Sequence, residues 1–200
     1  MMRADALRNR ERIVRVARAV FTEHGPDSSL NQVAQRAEVG PGTLYRHFPT
    51  LQDLLVAVIK DDVAALCARG QALLSDASAQ AGVSADGALR AWLRAVAVHA
   101  TAMRGLVATQ LASWPADGAL AACHEEITAT GAALLDHARR AGSAPEGVEI
   151  TDLLRLANAI GWASEQSPGD EDLIDRLLNL VTTTSARGDT KPNRPRHLTR

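Results

Sequence analysis

Residues 29–48 read SLNQVAQRAEVGPGTLYRHF, and the order of helix-starting and helix-stopping residues along this stretch decides the fold. Ser29 has N-cap chemistry, and Gln32 three residues on completes a capping box. Val33, Ala34 and Ala37 form the inner face of the short helix that follows. Glu38-Val39-Gly40 interrupts it. Pro41 suits the first position of a second helix, where its missing N–H costs nothing. That helix runs from Pro41 to Phe48, and Pro49 stops it. Two short helices joined by a tight turn containing Gly40 make a helix-turn-helix.

At about 100° per residue, Leu44 and Phe48 fall together one turn apart, so both are expected to pack on a preceding helix. Gly42, Thr43, Arg46 and His47 point away from that face, with Tyr45 on the flank. This exposed set suits a reader of duplex DNA. Gly42 lets backbone approach a base edge or phosphate. Thr43 offers a hydroxyl and a methyl, Arg46 pairs with guanine or phosphate, and Tyr45 and His47 donate to phosphate oxygens.

Upstream, Ile13, Ala17, Val20 and Phe21 recur at three and four residues, the period of an amphipathic helix. Arg10, Arg12, Arg15 and Arg18 lie mostly on its other side. His24-Gly25 ends it and Pro26-Asp27-Ser28 turns the chain. Downstream, Thr50 and Asp53 open a long helix over about 51–75, with Leu51, Leu54, Leu55, Val58, Ile59 and Leu66 as core positions. Residues 77–84 read as a small, flexible linker. Further helices are predicted near 86–102, 103–114, 117–141, 150–165 and 171–185. Acids Asp170, Glu171 and Asp172 complement the dipole at the start of the last. The expectation is an all-α chain of about nine helices, with a DNA-binding domain over 1–50, a helical bundle over 51–185 and a basic tail over 186–200.

Composition agrees. Hydrophobic residues make up 46% and aromatics 3%, so the apolar content is mostly Ala, Leu and Val. Ala and Leu favour helix. The net charge of −1 conceals a basic head: residues 1–48 carry eight bases against five acids, residues 49–185 nine against seventeen, and residues 186–200 five against one. A basic end on an acidic body fits a protein that touches nucleic acid with one end. Cys67 and Cys123 are far apart and lack metal-ligand spacing, so a reducing cytoplasm is expected. No apolar stretch resembles a signal peptide or approaches the ~20 residues needed to span a membrane. Enzyme chemistry finds no support. His124-Glu125-Glu126 is not the zinc pattern, because Thr128 stands where a second His belongs. His99, His124 and His137 could ligate a metal only if the fold brings them together, and neither a phosphate loop nor a nucleophile elbow is present. No metal or cofactor is expected.

The stretch LNQVAQRAEVGPGTLYRHFPT resembles the signature of TetR/AcrR regulators, in which a T-L-Y-x-x-F recognition helix follows I-A-x-x-A-G-V. The likeness runs from about Ile13 to Leu55. It implies phosphate contacts at Thr43, Tyr45 and His47 and groove-facing positions at Pro41, Gly42 and Arg46. Ser29 and Gln32 would lie near the DNA backbone. Many relatives carry a basic residue where this chain has Leu51, so that anchor is absent or replaced by Arg8, Arg10 or Arg12. The resemblance further implies a homodimer on a near-palindromic duplex operator, and repression released by a small-molecule effector. A DNA-binding regulator controlled by a protein partner, or acting without a small ligand, is the alternative.

In the bundle, apolar residues cover more than one face of the last two predicted helices, as expected for helices buried on two sides. Leu153, Leu156, Ile160, Ile174, Leu177, Leu178 and Val181 are the expected dimer contacts. Trp92, Val96, His99, Met103, Leu106, Gln110, Trp114, Cys123, Ile127 and Trp162 combine apolar walls with a few polar groups, as ligand cavities do. They are the expected pocket lining.

Overall fold

A computed structural model describes residues 2–79, 84–102, 118, 120–144 and 147–185. The described residues form eight α-helices: α1 Met2–His24, α2 Leu30–Arg36, α3 Pro41–His47, α4 Leu51–Ala79, α5 Ala85–Ala102, α6 Ala121–Arg140, α7 Ile150–Glu165 and α8 Leu173–Ser185. A 3-10 turn over Gly25–Asp27 links α1 to α2. The helix expected near 103–114 and the tail after 185 lie outside the described residues, as do Met103, Leu106, Gln110 and Trp114. Among the described residues no helix is long and apolar enough to cross a membrane.

The first core joins α1 to α4. Ile13, Val14, Ala17, Val20 and Phe21 of α1 meet Val33, Ala34 and Ala37, then Leu44 and Phe48, then Leu54, Leu55, Ala57 and Val58 of α4. Burying a Val, Leu, Ile or Phe side chain contributes about 1.5–3 kcal/mol, so the ten such residues here suffice to fix the short α2 and α3 against the two longer helices. The turn between α2 and α3 departs from the reading centred on Gly40. Gly40 sits at φ −64° as the N-cap of α3. The left-handed residue is Glu38, at φ 53°. The Val39 N–H donates to the Ala34 carbonyl at 3.1 Å and the Glu38 N–H to the Gln35 carbonyl at 3.2 Å. This is a Schellman ending with Glu in the glycine place. Val39, half-buried against the first core, supplies the apolar contact such an ending favours.

The second core centres on α5, which packs against α7, α4 and α6. Trp92 is fully buried, and its indole N–H donates to the Leu66 carbonyl of α4 at 3.0 Å. On the outer side of α5, Arg94 donates to both Asp175 oxygens of α8 at 2.9 and 3.0 Å. Cys67 of α4 and Cys123 of α6 pack with Val63 in a third, smaller cluster, and both are free thiols.

The helix ends shift from those expected. α4 continues to Ala79, because the Ala and Ser residues read as linker are compatible with helix. α6 starts at Ala121 rather than 117, and α8 at Leu173, after the acidic run. The expected dimer contacts divide. Ile160, Ile174 and Leu178 are 4%, 8% and 2% exposed within the single chain, so they belong to its own core and not to its surface. Leu153, Leu156 and Leu177 are half-buried against that core, and the side chain of Val181 lies outside the described set. Among the described side chains, the large apolar ones that α7 and α8 do present are Trp162 and Leu180, 53% and 65% exposed.

Candidate nucleic-acid interface and interior cavity

Local chemistry sets α2 and α3. The Ser29 hydroxyl accepts from the Gln32 N–H at 3.3 Å, and the Gln32 side-chain oxygen accepts from the Ser29 N–H at 2.7 Å. Both side chains are thus engaged in capping α2, which limits what they offer an outside ligand. A second box opens α4, where Thr50 and Asp53 exchange bonds at 3.0 Å. Between these caps α3 rests on Leu44, fully buried, and Phe48, 2% exposed.

The opposite side of α3 is open. Pro41, Gly42, Tyr45 and Arg46 are exposed, while Thr43 and His47 are half-buried on its flanks. A Cβ added at Gly42 would meet nothing within 4 Å, so no internal packing explains the glycine. Of the α1 arginines considered as replacements for the basic anchor lost at Leu51, Arg10 stands with its guanidinium 5.5 Å from the centre of the Phe48 ring. That places a cation at the C-terminal end of α3, near Leu51.

Behind this surface, α1 is tied to α4 by charge. Arg18 donates to Asp61 at 2.6 Å and contacts Asp62 at 2.5 Å. Its Nε is buried with no partner among the described residues. The Asp62 side chain is only 10% exposed, and His99 Nδ1 of α5 lies 3.7 Å from its other oxygen. Burial pushes the Asp62 carboxyl above its ordinary range, opposed by His99 and Arg18. Burial also holds the His99 imidazole below its ordinary value, opposed by Asp62. On the surface, Arg36 of α2 pairs with Glu23 of α1, and that hydrogen bond lowers the Glu23 carboxyl.

His99 also faces a cavity of about 230 Å³ between α5, α6 and α7, with Val96, Ile127 and Leu154 among its walls. Val96, His99 and Ile127 were expected there. Trp92 is not in this lining; it is spent on Leu66. Cys123 packs with Cys67. Trp162 points outward, because the stripe through Leu154, Ala157, Ile160 and Gly161 takes the core side of α7. Missed were Ala100, His124, Thr151, Leu154, Arg155 and Asn158. His124 stands three residues before Ile127, a same-face spacing that marks it in retrospect. Among the described residues no cluster of side chains suits a metal ion.

A sequence model of bacterial regulatory proteins of the tetR family matches residues 13–58. A second, for the C-terminal domain of SbtR-like transcriptional regulators, matches residues 84–183. The HTH-type transcriptional regulator SAB2452 of Staphylococcus aureus is 44% identical over 63 residues, 31% of this chain and 34% of that protein, so the likeness spans about a third of its length. The solved TetR transcriptional regulator SCO0520 of Streptomyces coelicolor is 32% identical and superposes with a TM-score of 0.70, covering 88% of this chain and 97% of its own. A TetR transcription regulatory protein from Mycobacterium vanbaalenii is 30% identical, also at a TM-score of 0.70, over 92% and 99% of the two chains.

Proposed function

The chain belongs to the TetR family of helix-turn-helix transcriptional regulators, a family of DNA-binding proteins and not of enzymes, and on that premise we propose that it is an effector-released repressor acting as a homodimer in the cytoplasm. The observation that carries the reading is the open face of α3. Pro41, Gly42, Tyr45 and Arg46 stand exposed on a helix held from behind by Leu44 and Phe48. Thr43 and His47 flank that face as phosphate donors. Gly42 suits close approach of backbone to an outside surface, since its surroundings are empty. Ser29 and Gln32 serve this surface indirectly, by fixing the start of α2.

Two subunits would join through α7 and α8, with Trp162 and Leu180 on the exposed side and Leu153, Leu156 and Leu177 at its margin. Their recognition helices would then enter successive major grooves of a near-palindromic operator, roughly 34–36 Å apart. An effector in the body would alter that spacing and lower operator affinity, a coupling typically of ~1–3 kcal/mol.

Selection of bound sites from random duplexes tests the reading. A two-fold related pair of half-sites is the expected result. Sites without sequence preference at moderate salt would overturn it. Arg46→Ala should keep the fold and weaken operator binding by about 1–3 kcal/mol, with relaxed preference at one base pair per half-site. Unchanged affinity and preference would show that α3 faces DNA differently.

A further inference from the structure

His99 belongs to two arrangements at once. Its Nδ1 lies 3.7 Å from Asp62, which holds Arg18 of α1, and the same imidazole lines the cavity between α5, α6 and α7. The ionisable groups of that lining are all basic. They are the imidazoles of His99 and His124 and the guanidinium of Arg155, and none of the described lining residues is a carboxylate. Arg155 is largely exposed and already pairs with Asp152 at 2.9 Å, and His124 is exposed as well, so the sheltered group for an anion is His99. The remaining walls are apolar except for Thr151 and Asn158. At about 230 Å³ the cavity is smaller than the ~300–1,000 Å³ of drug-sized clefts.

We propose that this cavity takes a compact organic monocarboxylate, and that His99, Asp62 and Arg18 carry its arrival to the DNA-binding head. The inference rests on the regulator reading above and specifies its ligand class and its route. Without ligand, burial keeps the imidazole uncharged at neutral pH. A carboxylate in the cavity reverses that balance, and the imidazole takes one proton from solvent. The imidazolium then lies between the ligand anion and Asp62, with Arg155 and Arg18 as the cations around it and His124 beside the cavity. Asp62 must now serve two cations. Its hold on Arg18 weakens while Arg18 keeps its bond to Asp61, so α1 shifts against α4 without detaching. The head moves with α1, because Ile13, Ala17, Val20 and Phe21 form its core.

The test uses the full-length protein at pH 7.5 with benzoate and hexanoate as probes and benzamide and hexanamide as uncharged controls. Calorimetric titration in buffers of different ionisation enthalpy measures proton uptake, and anisotropy of a selected operator measures DNA affinity. The acids are expected to bind with uptake of about one proton per site and to weaken operator binding by roughly 5–150-fold. His99→Gln should lose affinity for the acids by on the order of tenfold or more and abolish the proton uptake. Asp62→Asn should still bind them and fail to release DNA. Circular dichroism checks that each variant is folded, with His99→Asn in reserve if His99→Gln is not. Amides binding as well as acids, binding without proton uptake, release by His99→Gln as by the native chain, or no binding by either acid would each overturn the proposal. A protein that selects no operator would sink the regulator reading instead, and proton-coupled binding of the acids, read without DNA, would still stand.

Discussion

A Cβ at Gly42, in the head, would meet nothing within 4 Å, whereas one at Gly131, in the body, would stand 2.7 Å from Ile150 Cδ1 and 2.8 Å from Trp92 Cη2. The first glycine leaves room outside the protein, and the second removes bulk from inside it. The contrast extends to the regions around them. The head keeps its chemistry on a surface, with a small core behind α3 that exists to hold that surface still. The body keeps its chemistry in a half-open cavity whose shape depends on how closely three helices approach.

The strongest way to break the comparison is through the head's core. Leu44→Ala empties a fully buried site and should lower stability by about 2–5 kcal/mol, with operator binding lost as the head loosens. Thermal melting followed by circular dichroism reads this, and a loss below 1 kcal/mol would mean that α3 is held by something else. Gly131→Ala comes next. Overpacking between Ile150 and Trp92 should cost about 1–3 kcal/mol in urea unfolding. A native-like midpoint would show that α6 and α7 can part cheaply and that the body is less tightly set than the geometry implies.

Gly42→Ala sharpens the contrast by splitting two readouts. Removing a glycine from inside a helix should raise stability by about 0.5–1 kcal/mol, while the added methyl weakens duplex binding. A variant that gains stability and binds DNA as before would remove the argument that Gly42 serves an outside partner. The smallest expected effect is at the turn. Glu38→Gly relieves the left-handed backbone at φ 53° but adds freedom to the unfolded chain. The net gain should be a few tenths of a kcal/mol in differential scanning calorimetry. A clear loss would show that the Glu38 side chain contributes to the turn beyond its backbone.

Most of the head was legible in the sequence. Its signals are local: Ser29 with Gln32, Thr50 with Asp53, Leu44 with Phe48, each within four residues. The turn was placed correctly but explained by the wrong residue, because Gly40 advertises conformational freedom and Glu38 uses it. The body was legible only as helices and apolar faces. Whether Trp92 lines a cavity or caps a carbonyl depends on Leu66, 26 positions away, and no spacing rule reaches that far. The same holds for His99 and Asp62, which meet only because α4 and α5 run side by side. Ile160, Ile174 and Leu178 looked available for a partner because an apolar stripe does not say whether its own chain or another covers it.

Trp92 and Trp162 give the molecule two optical reporters in contrasting surroundings. Trp92 is sealed from solvent and hydrogen-bonded to the helix that links head and body, whereas Trp162 is 53% exposed on α7. With Trp114 replaced by Phe, the blue side of the emission would follow any slide of α4 past the Trp92 indole, and the quencher-accessible red side would follow the covering of α7. One spectrum would then time two events in the same cuvette without a label, and show which comes first when an acid is added.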